Sequence, residues 1–237
     1  MFTAKHSTTV TNHIVSLNFK PPLTHEGEDK RPPIDIHFVI DVSYSMDEVV
    51  PDQTGDGLRL TILDLVKHTV KTLVKSMSNK DRVSIVKYST AAQVVLSNVV
   101  TSELNKPDIL DKISALRVEG QTNIWDGLKT ALDINKSIGA SGRGRNSSIM
   151  LLTDGQSNIN PPRGLKAMLH KYKEQYEINC NINTFGFGYS NDSKILTEIS
   201  DCCNGIYGFI PDGTFVGTVF TNIMSNEFCT QTNDFTI

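Results

Sequence analysis

Apolar positions along this chain switch repeatedly between two spacings. Residues 36–40 (Ile-His-Phe-Val-Ile) form a short, mostly β-branched and aromatic run that stops at Asp41, the pattern of a buried strand. From 58 to 77 the spacing becomes helical. Leu63, Val66, Val70, Leu73, Val74 and Met77 make one stripe, broadened by Ile62 and Leu65. Residues 81–88 and 93–100 return to strand character around Ser89-Thr90-Ala91-Ala92. A connection that short cannot carry a parallel crossover, so these two strands are expected to pair as an antiparallel hairpin.

The same alternation continues to the end. Ile109, Leu110, Ile113 and Leu116 mark a second helix; Ile124, Leu128, Ala131, Leu132 and Ile138 mark a third. Strands are predicted over 148–152, 181–187 and 206–210. Helices are predicted at Leu165–Met168–Leu169–Tyr172, opened by Pro161-Pro162, at Ile195–Leu196–Ile199 and at Val216–Val219–Phe220–Ile223. Near the start, Val15, Leu17 and Phe19 alternate with Ser16 and Asn18 until Pro21-Pro22, which suits an extra edge strand or part of a neighbouring module. The polar stretch 24–33, closed by Pro32-Pro33, reads as a loop. Strand–helix alternation with one early hairpin predicts an α/β fold, a mostly parallel sheet covered on both faces.

In such sheets ligands bind beyond the carboxyl ends of the strands, and Asp41, Ser43 and Ser45 fall there. One carboxylate and two hydroxyls are oxygen donors, suited to a hard cation such as Mg2+ and poorly suited to Zn2+. The spacing Asp-x-Ser-x-Ser resembles the metal-ion-dependent adhesion site of von Willebrand factor A domains. Gly120-Gln-Thr-Asn-Ile124 resembles the second loop of that family, and Leu151-Leu-Thr-Asp-Gly155 resembles the third. Taken singly, Asp41 or Thr122 would be read as a helix cap and Asp154-Gly155 as a turn. Three loops in the family's order outweigh those readings.

The resemblance spans residues 34–228, leaving 1–33 as an extension and 229–237 as a tail. It implies a three-layer, doubly wound (Rossmann-like) sheet of order 3-2-1-4-5-6, six-stranded and mostly parallel, with one antiparallel edge strand. It also implies a metal site of Asp41, Ser43, Ser45, Thr122 and Asp154 holding Mg2+, with Mn2+ or Ca2+ as substitutes. Such a site should keep waters, and one of their positions would be taken by an Asp or Glu carboxylate of a partner protein. Tyr44 and Gln121 depart from the family, where glycine is frequent; neither change removes a ligand. The runs 58–70 and 81–86 resemble intracellular members associated with RING or U-box ubiquitin-ligase-like proteins, although no Cys/His zinc module accompanies them here.

Composition adds bounds. A chain of 237 residues suffices for one large α/β domain, and a net charge of −3 gives no nucleic-acid or membrane-surface footprint. The first twelve residues do not form a signal peptide, and no segment approaches the ~18 apolar residues of a membrane helix. Cys180, Cys202, Cys203 and Cys229 lack zinc or redox spacing and are expected as reduced thiols in an intracellular, cytoplasmic domain. Lys67, Lys71 and Lys75 recur at i, i+4 and i+8; they read as a solvated face, with a basic site as the less favoured alternative. Catalysis is not expected. There is no Gly-x-Ser-x-Gly, no phosphate-cradling loop with Lys, and Ser43 stands where an Asp-x-Asp phosphotransferase needs an acid. The alternatives are a metal-independent scaffold and, from another class, a Mg2+-dependent phosphatase-like hydrolase.

Overall fold

A computed structural model describes residues 5–9, 14–18, 31–50, 59–142, 144–176, 180–189, 191–211 and positions 218–220, 222, 223, 225 and 227. The chain divides into two compact units, Met1–Arg31 and Pro32–Ile237. In the first, β1 (Lys5–Thr9) and β2 (Ile14–Asn18) form an antiparallel two-stranded sheet in which Thr9 faces Ile14. The strand expected from Val15 and Leu17 is therefore present, in a sheet separate from the large one.

The second unit follows the predicted alternation. Its order is β3 (Ile34–Asp41), α1 (Ile62–Ser76), β4 (Arg82–Tyr88), β5 (Ala92–Val100), α2 (Lys106–Ser114), α3 (Ile124–Ile138), β6 (Asn146–Thr153), α4 (Leu165–Gln175), β7 (Asn181–Phe187), α5 (Ser193–Asp201) and β8 (Tyr207–Ile210). The six strands lie in the order β5-β4-β3-β6-β7-β8. All neighbours are parallel except β4 and β5, the hairpin anticipated from its short connection. β3 is the switch point, because the chain leaves it toward β4 on one side and toward β6 on the other.

Every residue of β3 is buried, as a central strand covered on both faces requires. Ile34, Ile36, Phe38 and Ile40 enter one apolar layer with α1 and α2; Val39 enters the other with α3, α4 and α5. The described positions between 218 and 227 are helical, and Phe220 stacks on Phe185 with ring centroids 4.1 Å apart. Val216 and the tail 229–237 lie outside the described residues.

Two boundaries differ from the sequence expectation. α1 starts at Ile62, because Thr61 and Asp64 close a reciprocal capping box there; Leu58 lies outside the described residues. Pro161 and Pro162 do not open α4. They sit in a turn closed by the Gly164 N–H donating to the Pro161 carbonyl, and Gly164, at φ 77°, precedes the first helical residue, Leu165. No helix among the described residues is long and apolar enough to cross a membrane.

Candidate metal centre

The five residues singled out in the sequence lie at the carboxyl end of the sheet: Asp41 ends β3, Ser43 and Ser45 follow it, Thr122 precedes α3 and Asp154 follows β6. Main-chain hydrogen bonds zip the three loops together. The Glu119 N–H donates to the Val42 carbonyl at 2.6 Å and the Tyr44 N–H to the Gly120 carbonyl at 3.2 Å, joining the first loop to the second. The Asn158 and Ile159 N–H groups both donate to the Thr122 carbonyl, at 3.1 and 3.0 Å, and the Asn158 side chain accepts the Thr122 N–H. That joins the second to the third. Gly120, at φ 65°, is required at its place: a Cβ there would stand 2.6 Å from the Thr90 hydroxyl oxygen.

Asp41 is fully buried at the centre of this arrangement. Its Oδ1 accepts the Ser43 N–H at 2.8 Å, while Oδ2 accepts the Thr153 hydroxyl at 2.6 Å and the Tyr88 hydroxyl at 3.2 Å. Burial pushes the Asp41 carboxyl up to about 6, and the nearby Asp154 pushes the same way. The hydrogen bonds from Thr153 and Ser43 act against both. Ser43, Thr122 and Asp154 are nearly buried; Ser45 is exposed, and Tyr44 between the serines is 69% exposed. Asp154 is held by the Gln156 N–H donating to its Oδ1.

The donor set can be tested against a cation. Ser43 Oγ and Ser45 Oγ lie 3.1 Å apart. Adjacent oxygens of an octahedron with bonds of about 2.0–2.1 Å are separated by about 2.8–3.0 Å, so the two hydroxyls fit neighbouring positions on Mg2+. Two carboxylates brought together in a buried pocket also repel, which an intervening dication would relieve. Among the described residues no group of three or more His, Cys, Asp or Glu could hold a metal, so a centre here depends on its hydroxyl donors. The fit favours Asp41, Ser43, Ser45, Thr122 and Asp154 holding a small hard cation.

Two residues that hold Asp41 escaped the sequence reading. Tyr88 ends β4 and Thr153 ends β6, so both flank Asp41 across the sheet, and their hydroxyls meet the same carboxylate oxygen. Thr153 could have been found from the Leu-Leu-Thr-Asp-Gly run, since the last residue of a neighbouring parallel strand must lie beside Asp41.

Comparison with known proteins agrees with this fold. The family model of the von Willebrand factor type A domain matches residues 35–222. The chain belongs to that family. The uncharacterised protein YfbK of Escherichia coli strain K12 is 29% identical to this vWA chain over 209 residues, 87% of the chain and 33% of YfbK. The chain thus spans about a third of that relative's length. A von Willebrand factor type A structure from Catenulispora acidiphila superposes with a TM-score of 0.68 at 19% identity, covering 84% of this chain and 43% of the other. A structure of proximal thread matrix protein 1 from the mussel byssus, with a zinc-occupied MIDAS motif, gives a TM-score of 0.61 at 19% identity over 83% of this chain and 46% of the other. None of these relatives is a RING or U-box protein by description, and that narrower affinity has no support.

Proposed function

We propose that this vWA domain is a divalent-metal-dependent protein-interaction module. Mg2+ is held by Asp41, Ser43, Ser45, Thr122 and Asp154 and completed by an Asp or Glu carboxylate from a partner. The observation that carries the reading is the 3.1 Å separation of the Ser43 and Ser45 hydroxyls beside the buried Asp41 carboxylate. Family membership supports it, as does the zinc-occupied MIDAS motif of the mussel byssus protein, a separate protein of the same fold. The five side chains bind; none is asked to transfer a proton or attack a substrate, so the domain is not an enzyme in this reading. It acts inside the cell, where Cys180, Cys202 and Cys203 persist as free thiols.

Thermal unfolding against Mg2+, Mn2+, Ca2+ and Zn2+, with Asp41→Ala as control, tests the proposal. An ion that binds only the native state adds about 2.7 kcal/mol at a hundredfold excess over its dissociation constant. Stabilisation by Mg2+ that vanishes in Asp41→Ala is the expected result. No shift with any ion at millimolar concentration would leave a metal-free scaffold as the better reading.

A further inference from the structure

A second concave site lies beside α1, outside the metal centre. The cleft has a volume of about 460 Å3 and runs between α1 and the segment that follows α2. Leu63 and Val118 supply apolar wall, and three cations converge on it: Lys67, Lys71 and Arg117. Lys67 and Lys71 belong to the lysine series that the sequence alone assigned to a solvated face. The Lys67 side chain is largely covered, at 14% exposed.

These cations are poorly neutralised. Among the described residues the nearest carboxylate oxygen to Lys67 Nζ is Asp64 Oδ1, at 4.0 Å. The other Asp64 oxygen is committed to the capping box, accepting from the Thr61 N–H and hydroxyl at 3.2 and 2.9 Å. Arg117 Nη1 donates to the Ser114 and Leu116 carbonyls, both at 2.8 Å, which fixes the guanidinium on backbone rather than on an acid. Lys71 has no ion pair among the described residues. Among the described residues Asp47, in the turn that contains Ser45, is the one further carboxylate lining the cleft, so three described cations face two described acids. Consistent with crowding, burial lowers the Lys67 ammonium from its usual value, and Arg117 and Lys71 lower it further against the pull of Asp64.

We infer that this cleft is an anion-binding site that takes a phosphoryl dianion, free or carried on a peptide. Three separated cations match the three acceptor oxygens of a phosphomonoester, and Arg117 offers a planar fork suited to them. A single carboxylate would leave part of the positive charge unanswered.

Isothermal titration of the full chain with EDTA present, using inorganic phosphate and a phosphoserine peptide beside its unphosphorylated form, tests the inference. Saturable binding is expected, weakened at least tenfold by Lys67→Met and by Arg117→Ala, unchanged by Asp41→Ala, and weakened by salt. Equal affinity for both probes identifies a free phosphate as the source; tighter binding of the peptide identifies a phosphoprotein. Lys67→Met removes a desolvated charge, so its thermal midpoint should not fall, which separates lost binding from lost folding. Absence of saturable heat from both probes at millimolar concentration, or binding that both variants leave intact, overturns the inference.

Discussion

The Thr153 hydroxyl donates to Asp41 Oδ2 at 2.6 Å across 112 positions of sequence, and its own oxygen accepts the Gly155 N–H at 2.9 Å. One side chain thereby fixes the buried carboxylate and begins the third loop. Thr153→Val keeps the shape and removes both bonds. We expect a loss of about 1–3 kcal/mol in stability from the unpaired Gly155 N–H. A fall of about 10–100-fold in Mg2+ affinity should accompany it, the usual penalty for removing a group that orients a ligand. Calorimetric titration of Mg2+ into the variant decides; undiminished affinity would show that Thr153 serves the fold alone.

Gly127 and Tyr88 make the second contact behind the site. A Cβ at position 127 would lie 2.6 Å from Tyr88 Cδ1 and 2.7 Å from Cγ, on a ring that is fully buried. Alanine gains about 1 kcal/mol of helix propensity over glycine, whereas overpacking a tight core costs about 1–3 kcal/mol. The rigid ring cannot yield as a flexible chain end would, so the clash wins. Gly127→Ala should lower the urea midpoint and, by displacing the Tyr88 hydroxyl from Asp41, weaken Mg2+ binding as well. An unchanged or raised midpoint would mean that α3 moves freely away from β4.

These two contacts mark where sequence reasoning stopped. The place of Asp41, Ser43 and Ser45 beyond the end of a buried strand was legible from the run they close, whereas Thr122 and Asp154 were singled out through the resemblance of their loops to the family. The antiparallel hairpin was legible because the four residues 89–92 exclude a crossover, and the mostly parallel sheet because the remaining strands alternate with helices; the strand order came from the family resemblance. Tyr88 and Thr153 were not legible, since each reads as the last apolar or β-branched position of its own strand until the register places it beside Asp41. Lys67 was misjudged for a similar reason: helical spacing gives a face, and only the packing of α1 beside α2 says whether that face is covered.

The start of α1 offers a local test. Thr61 accepts the Asp64 N–H at 3.2 Å while Asp64 accepts from the Thr61 backbone, so two orphan donors are satisfied reciprocally. Thr61→Ala should cost about 1 kcal/mol. In a domain of this size that is about 2–4 °C in the thermal midpoint. A midpoint within experimental scatter of the parent would show that packing alone sets the helix start.

His37 sits in the middle of β3, fully buried. Burial lowers it from 6.5 to about 4; Asp35 and Asn135 oppose the shift, and Arg82 adds to it. The folded protein therefore keeps the ring neutral where the unfolded chain protonates it. Stability from this group is fully present above pH 6.5 and is lost as pH falls toward 4, about 2 kcal/mol of it by pH 5. Asp41 works in the opposite sense between 3.8 and about 6, so the informative quantity is a difference between proteins rather than one curve. His37→Leu, of similar volume, should lose about 2 kcal/mol less than the parent between pH 7.5 and pH 5. Denaturant titrations of both chains at the two pH values measure it, and parallel losses would show that the ring takes up its proton in the folded state without penalty.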